Sequence, residues 1–335
     1  MATSEAPLAI LLMGPTAAGK TELAIRLREA LDGELISVDS ALVYRGMDIG
    51  TAKPGADTLA RAPHRLIDIC DPAHPYSAAE FREDARQAMD EAVAAGRVPI
   101  LVGGTMLYFR ALCYGMASMP PASPETREAL AGRFEREGGE ALHRELTRVD
   151  PVAAAGMHPN NRQRLLRALE VYQVTGKPIS QLWAEEKAAG EGTALPYNAI
   201  PIALSPPQRA DLHKRIEQRF QAMLAQGLIE EVRGFHERGD LSLELPSMRA
   251  VGYRQVWEHL EGKTGYNEMV ERALAATRQL AKRQITWLRR WPGCHWLDGG
   301  DPECLEKALK IIKAGATLES NLPAAADGIK GRPVR

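Results

Sequence analysis

The sequence predicts an α/β protein in which a parallel sheet covered by helices carries an inserted all-helical domain. Three observations predict it. Between residues 8 and 117, short apolar runs alternate with helical segments, the pattern of strand–helix–strand units. The octapeptide Gly14-Pro15-Thr16-Ala17-Ala18-Gly19-Lys20-Thr21 stands directly between an apolar run and an amphipathic helix. From residue 118, strand-like runs cease until residue 200, while helical, Arg- and Ala-rich sequence continues.

Each element follows from its local pattern. A strand is expected at 8–13, ended by Gly14, and a helix at 20–31. Strands at 34–38, 65–70 and 98–102 end at Asp39, Asp71 and Gly103, with helices at 77–95 and 105–112. The ends of parallel strands share one edge of the sheet. The 14–21 loop, Asp39 and the Gly103-Gly104-Thr105 turn are therefore expected to converge on one crevice. Met119-Pro120-Pro121 opens the insertion, and residues 184–197, with Gly190, Gly192 and Pro196, read as its exit linker. A strand at 200–204 returns to the sheet, followed by helices at 208–226, 228–234, 253–261 and 266–290 and a short strand at 294–297. The expected boundaries are a core of residues 1–117 plus 198–320, a helical domain of residues 118–197, and a disordered tail at 321–335.

Composition excludes several classes. With 335 residues, 45% of them hydrophobic, the chain can bury a large core. No stretch approaches the ~20 apolar residues of a membrane span, and the first seven residues do not resemble a signal peptide. Cys70, Cys113, Cys294 and Cys304 lie far apart without metal-ligand spacing, so free thiols and a cytoplasmic location are expected. A net charge of −1 does not advertise nucleic-acid binding, which makes the distribution of charge more informative than its sum.

The octapeptide is a complete phosphate-binding loop, so the core is expected to resemble that of P-loop NTPases. Its glycines let successive N–H groups point into one concavity at a helix N-terminus. Lys20 would reach the outer phosphates, and the Thr21 hydroxyl would ligand a magnesium ion. Asp39, at a strand end beside this loop, can take a proton from an acceptor or hold the metal's shell. Thr105 offers a hydroxyl at a helix N-terminus. Lys53 can add charge near a diphosphate or lie solvated in its loop. Arg215 and Arg219, four residues apart on one helix, can balance nearby acids or neutralise a diphosphate from the side opposite Lys20.

Two basic stripes suggest nucleic acid. On the helix after Pro159-Asn160-Asn161, Leu165, Leu169 and Tyr172 form an apolar stripe while Gln163 and Arg167 share another face. The run 278–290 contains Lys282, Arg283, Arg289 and Arg290, no acid, and an interleaved Trp287. Such a stripe can hold a nucleic-acid backbone and stack a base.

With these residues gathered, the chain resembles the bacterial tRNA dimethylallyltransferase (tRNA isopentenyltransferase) family over nearly its whole length. The resemblance rests on the 14–21 loop, Asp39-Ser40-Ala41-Leu42-Val43-Tyr44, Asp48-Ile49-Gly50-Thr51-Ala52-Lys53-Pro54 and Leu101-Val102-Gly103-Gly104-Thr105. It continues through His158-Pro159-Asn160, residues 164–172, Thr175-Gly176, Val251-Gly252-Tyr253-Arg254-Gln255 and Lys282-Arg283-Gln284. Some members carry Gln where this chain has Leu42 and Gly where it has Met106.

The resemblance implies transfer of a dimethylallyl group from dimethylallyl diphosphate to N6 of the adenosine 3′ of the anticodon, in tRNAs reading codons that begin with U. It implies Mg²⁺ as cofactor, Asp39, Thr105 and Lys20 as catalytic residues, and the 14–21 loop with Arg215 and Arg219 as the diphosphate site. It implies a tRNA surface of Asp39, Ser40, Ala41, Leu42, Thr105, Arg127, Gln163, Arg164, Leu165, Leu166, Arg167, Arg249, Lys282 and Arg283, and no obligate protein partner. The residues alone leave open a small-molecule kinase using ATP, an adenine-nucleotide isopentenyltransferase and a non-catalytic RNA-binding protein.

Overall fold

A computed structural model describes residues 6–115, 119–120, 123–188 and 195–317. The expected tail at 321–335, and parts of both expected linkers, lie outside the described residues. The chain divides into two compact units, residues 6–113 with 195–317 and residues 114–188.

The first unit begins with β1 (Leu8–Met13), α1 (Lys20–Leu31), β2 (Gly33–Val38), α2 (Ala56–Arg61), β3 (His64–Arg65), α3 (Ala78–Ala94), β4 (Val98–Gly103) and α4 (Met106–Tyr114). All strands are parallel, in the order β3-β2-β4-β1, extended beyond β1 by β5 (Asn198–Leu204) and β6 (His295–Leu297). β1 is central and wholly apolar, as a strand covered on both faces must be. On one face Ile10, Leu12, Leu35, Ile100, Val102, Ile202 and Leu204 pack against Leu23 and Leu27 of α1, and α3 packs on β2 and β4.

After β5 come α10 (Arg209–Ala225), α11 (Leu228–Glu237), α12 (Tyr253–Leu260), α13 (Tyr266–Leu288) and, after β6, α14 (Cys304–Thr317). α10 to α13 bury a second core with the loop after β2, including Tyr44, Met47, Phe220, Val232 and Tyr253. α14 carries Ala308 and Ile312 four residues apart and covers the sheet core beside α1. Neither α2 nor α14 was among the expected helices.

One expected strand is corrected. Of the expected 65–70 strand only Arg65 joins the sheet: β3 stops there, because Leu66 and Asp68 have φ of +64° and +57°. The rest of this segment pairs with the loop after β2, through Asp68 N–H to Leu42 O and Cys70 N–H to Val43 O. Asp71 therefore leaves the shared sheet edge and pairs with Arg238 at 3.0 Å.

The second unit comprises α5 (Pro124–Glu137), α6 (Gly139–Val149), α7 (Pro151–Ala155), α8 (Arg162–Thr175) and α9 (Ile179–Ala188). Its core is Leu130, Leu142, Leu146, Leu165, Leu169 and their neighbours. The buried Asp150 caps α7 through Ala153 N–H and accepts from Ser180 N–H, tying α7 to the start of α9.

Candidate functional site

The turn between β1 and α1 has one solution for its first residue. A Cβ on Gly14 would lie 2.4 Å from Leu204 O of β5, so only glycine lets the chain leave the sheet there. Gly19 (φ +89°) then starts α1, with Lys20 as its first residue. Lys20 Nζ turns back on the loop and donates to Gly14 O (3.0 Å) and Pro15 O (2.8 Å). Burial lowers its pKa from 10.5 to about 8; the charge of Asp39 opposes that shift and Arg219 adds to it.

The end of β2 is tied to the end of β4. Gly103 must be glycine, since a Cβ there would meet Val38 O at 2.0 Å. Thr105 N–H donates to Val38 O, and Thr105 Oγ1 accepts from Ser40 N–H (3.0 Å) and donates to Ser40 Oγ (3.3 Å). Asp39 Oδ1 accepts from Ala41 N–H (2.9 Å) and Leu42 N–H (3.4 Å). That turn fixes the carboxylate while no protein donor among the described residues occupies Oδ2.

A cavity of 570 Å³ opens over these strand ends. Thr16, Ala17, Lys20, Thr21, Asp39, Ser40, Ala41, Leu42, Thr105, Arg219, Arg249 and Arg283 all line it, so most of the residues expected in the crevice do meet there. An adjacent cavity of 870 Å³ shares Ala17, Lys20, Thr21 and Arg219 and adds Ala18, Gly19 and Arg215. Gly14 and Pro15 take part through their carbonyls. Lys282 is exposed on α13 but lies outside both cavities.

Sequence reasoning gave no role to Gln284. It is buried on α13, accepts from Thr16 N–H through Oε1 (2.9 Å) and donates through Nε2 to Gly104 O (2.9 Å). One amide thereby joins the phosphate loop to the Gly-Gly-Thr turn. Its only sequence signal was its place as the uncharged member of Lys282-Arg283-Gln284. Ser37 and His64 also line the cavity. Burial holds the His64 imidazole below its ordinary pKa, and Nδ1 is fixed on Ala62 O.

Lys53 does neither of the things its sequence context offered. Its side chain is buried, paired with Asp48 and Asp68 and donating to Tyr44 O, which pins the 48–53 loop. Glu231 of α11 completes the clamp by accepting from the N–H groups of Asp48, Ile49 and Gly50 and from the Tyr253 hydroxyl. Arg219 donates to Thr51 O, so the clamped loop in turn fixes this cation of the cavity wall.

The expected RNA-facing residues of the second unit separate into two groups. Gln163 and Arg164 are exposed on α8. Leu165 is buried in the unit's core and is corrected to a packing residue; Leu166 packs partly against the same core. Arg127 and Arg167 both engage the buried Glu170, and Arg167 also donates to Pro120 O. Burial alone would raise the Glu170 pKa. The hydrogen bonds from Arg167, Ser123 N–H and Arg127 outweigh it and hold the carboxyl below its usual range.

Among the described residues no group of three His, Cys, Asp or Glu forms a protein cage for a metal. Magnesium does not require one, since it keeps several waters and binds through one or two protein oxygens plus substrate phosphates. Thr21 and Asp39 line one cavity, and the buried Ser37 Oγ there has no hydrogen-bond partner among the described residues. This set of hard oxygens fits magnesium.

The sequence model of the IPP transferase family matches residues 42–291. The tRNA dimethylallyltransferase 2 of Hahella chejuensis is 59% identical over 315 residues, which cover 91% of this chain and 95% of the relative. The tRNA dimethylallyltransferase of Chromohalobacter salexigens is 61% identical over 311 residues, covering 93% and 98%. The crystal structure of the full-length tRNA isopentenylpyrophosphate transferase from Bacillus halodurans is 35% identical, with a TM-score of 0.67 and coverage of 93% and 99%. A eukaryotic dimethylallyltransferase acting on tRNA shares the fold, with a TM-score of 0.77 at 24% identity over 96% of this chain and 83% of its own. The family model spans three quarters of the chain and relatives about 60% identical cover more than nine tenths of it, so the chain belongs to the IPP transferase family of transferases.

Proposed function

We propose that the chain transfers the dimethylallyl group of dimethylallyl diphosphate to N6 of the adenosine 3′ of the anticodon, in tRNAs reading codons that begin with U. The observation that carries this reading is Asp39, whose Oδ1 is fixed by two backbone N–H groups while Oδ2 stays open in a cavity shared with Lys20 and Arg219. The family membership and the relatives named as tRNA dimethylallyltransferases support it.

The loop amides, Lys20, Arg215 and Arg219 bind the donor's diphosphate. N6 bonds to C1 of the dimethylallyl group while the C1–O bond breaks and its electron pair leaves on the diphosphate. Donors already aimed at that leaving group are worth ~10²- to 10³-fold each. An adenine N6 is a poor nucleophile, because its lone pair is delocalised into the ring. Asp39 Oδ2 accepts the N6 proton as the bond forms, for ~10²- to 10⁴-fold. Thr105 holds Ser40 and the Asp39 turn in place. Thr21 and the Asp39 region would hold magnesium, which when bound neutralises charge on the diphosphate. The base reaches the cavity only when flipped from its loop, with the exposed Arg164, Lys282 and Arg283 on the RNA backbone.

Purified protein, unmodified tRNA and dimethylallyl diphosphate should yield modified adenosine by mass spectrometry and release diphosphate, with no ATP added. Coupled ATP hydrolysis, or modification of free AMP in place of tRNA, would overturn the reading.

A further inference from the structure

We propose that Ser37 is a ligand-facing residue of the same site: its hydroxyl hydrogen-bonds hydrated magnesium diphosphate seated on the loop. The inference rests on the reading of the loop as a diphosphate site.

Ser37 is 1% exposed, and its Oγ has no hydrogen-bond partner among the described residues. A hydroxyl left so is costly, and such groups call for an explanation. Ser37 also lines the 570 Å³ cavity. It is therefore a hydrogen-bonding group that the fold buries against a site and does not itself satisfy.

Its position favours the diphosphate end of that cavity. Alternate residues of a strand share a face, so Ser37 lies on the face of Leu35. That face is covered by α1, since Leu35 clusters with Leu23 and Leu27. In the sheet Ser37 stands beside Val102, which joins the same cluster and also lines the cavity. Two residues before Leu23, in the first turn of α1, is Thr21, another cavity-lining hydroxyl. The Ser40–Thr105 pair, by contrast, satisfies its own hydroxyls within the protein. Serine at 37 thus adds an open hydroxyl under the α1 end of the site, where an anion and its hydrated cation need donors and acceptors at close range.

The test compares wild type with Ser37→Ala and Ser37→Thr in the full chain. Ligand-free thermal unfolding is measured first. Calorimetry then follows binding of inorganic diphosphate with and without magnesium. The free Ser37→Ala protein should unfold at the wild-type temperature or above, because no protein hydrogen bond is lost. Its affinity for magnesium diphosphate should fall roughly tenfold or more, the usual weight of one hydrogen bond to a charged group. Ser37→Thr, which keeps the hydroxyl, should restore the affinity. Unchanged affinity in Ser37→Ala would overturn the proposal, and a raised KM for tRNA alongside it would assign the hydroxyl to the acceptor purine. A lowered unfolding temperature with equal loss in both variants would make the role purely structural. If wild type itself fails to bind magnesium diphosphate, the diphosphate reading of the loop fails first.

Discussion

In the proposed reaction Asp39 is the proton acceptor and Lys20 the anion-binding cation, and each invites a separate measurement. Asp39→Asn keeps the Oδ1 contacts to Ala41 and Leu42 N–H but removes the base. It should lower kcat by ~10²-fold or more while tRNA affinity changes little. A change confined to KM would instead assign Asp39 to binding. Lys20 has its pKa lowered to about 8 in the folded chain against 10.5 when unperturbed, so above pH 8 it progressively loses the charge an anion needs. Affinity for inorganic diphosphate, measured without metal, should therefore fall as pH rises from 8 toward 10.5. The free protein should gain stability over the same window, because there the unfolded chain binds the proton that the folded chain has released. Calorimetry across that range checks both signs, with Lys20→Ala as the control that keeps the titration of the diphosphate and of every other group and lacks only that of Lys20.

At the scale of elements, the clamp on residues 48–53 shows how a loop is made rigid without secondary structure. Glu231 of α11 answers three backbone N–H groups and the Tyr253 hydroxyl at once. Glu231→Ala would leave these donors without a partner, and a buried unsatisfied polar group costs ~1–3 kcal/mol. We expect a loss of about 2–4 kcal/mol in urea unfolding, together with a weaker donor KM through Arg219, whose contact is Thr51 O. Wild-type stability in this variant would show that the clamp is replaceable by water. In the helical unit, Leu165→Ala should cost ~2–5 kcal/mol as a large-to-small core change. The neighbouring Arg164→Ala should leave stability within ~0.5 kcal/mol, because its side chain is exposed.

Across the whole molecule, the charge pattern and the division into units make the remaining predictions. Arg164→Ala and Lys282→Ala should each weaken tRNA binding broadly and reduce the log–log salt slope by roughly one unit, leaving diphosphate binding unchanged. An unaltered slope would return both to ordinary solvated surface. Arg167 is the poorer choice for this measurement: its guanidinium is engaged by Glu170 and Pro120 O, so its loss would disturb the unit's packing. Joining residue 113 to residue 195 by a short Gly/Ser linker removes no strand, since β5 starts at Asn198. The remaining unit should fold and bind diphosphate in calorimetry while losing tRNA affinity by orders of magnitude. Normal tRNA modification by that protein would place recognition elsewhere.

What the sequence by itself determined was the local and periodic part of this protein. The apolar runs of β1, β2, β4 and β5, the glycines of the phosphate loop and the strand-end Asp39 are written in consecutive residues, and parallel strand order then brings their ends to one edge. The ordered motif set also sufficed to indicate the family. What only the tertiary structure decided were the partnerships between distant residues. Lys53 looked like a free loop cation until Asp48 and Asp68 closed on it, and the partners of Arg167, Glu170 and Pro120 O, are likewise visible only in the fold. Residues 66–70 read as strand until two positive φ angles turned them onto the loop after β2. Neither Gln284, noted only within the Lys282-Arg283-Gln284 run, nor Ser37 carried a local sign of its role. Their meaning depends on what lies opposite: for Gln284 the backbone of Thr16 and Gly104, far away in the chain, and for Ser37 the cavity over the strand ends.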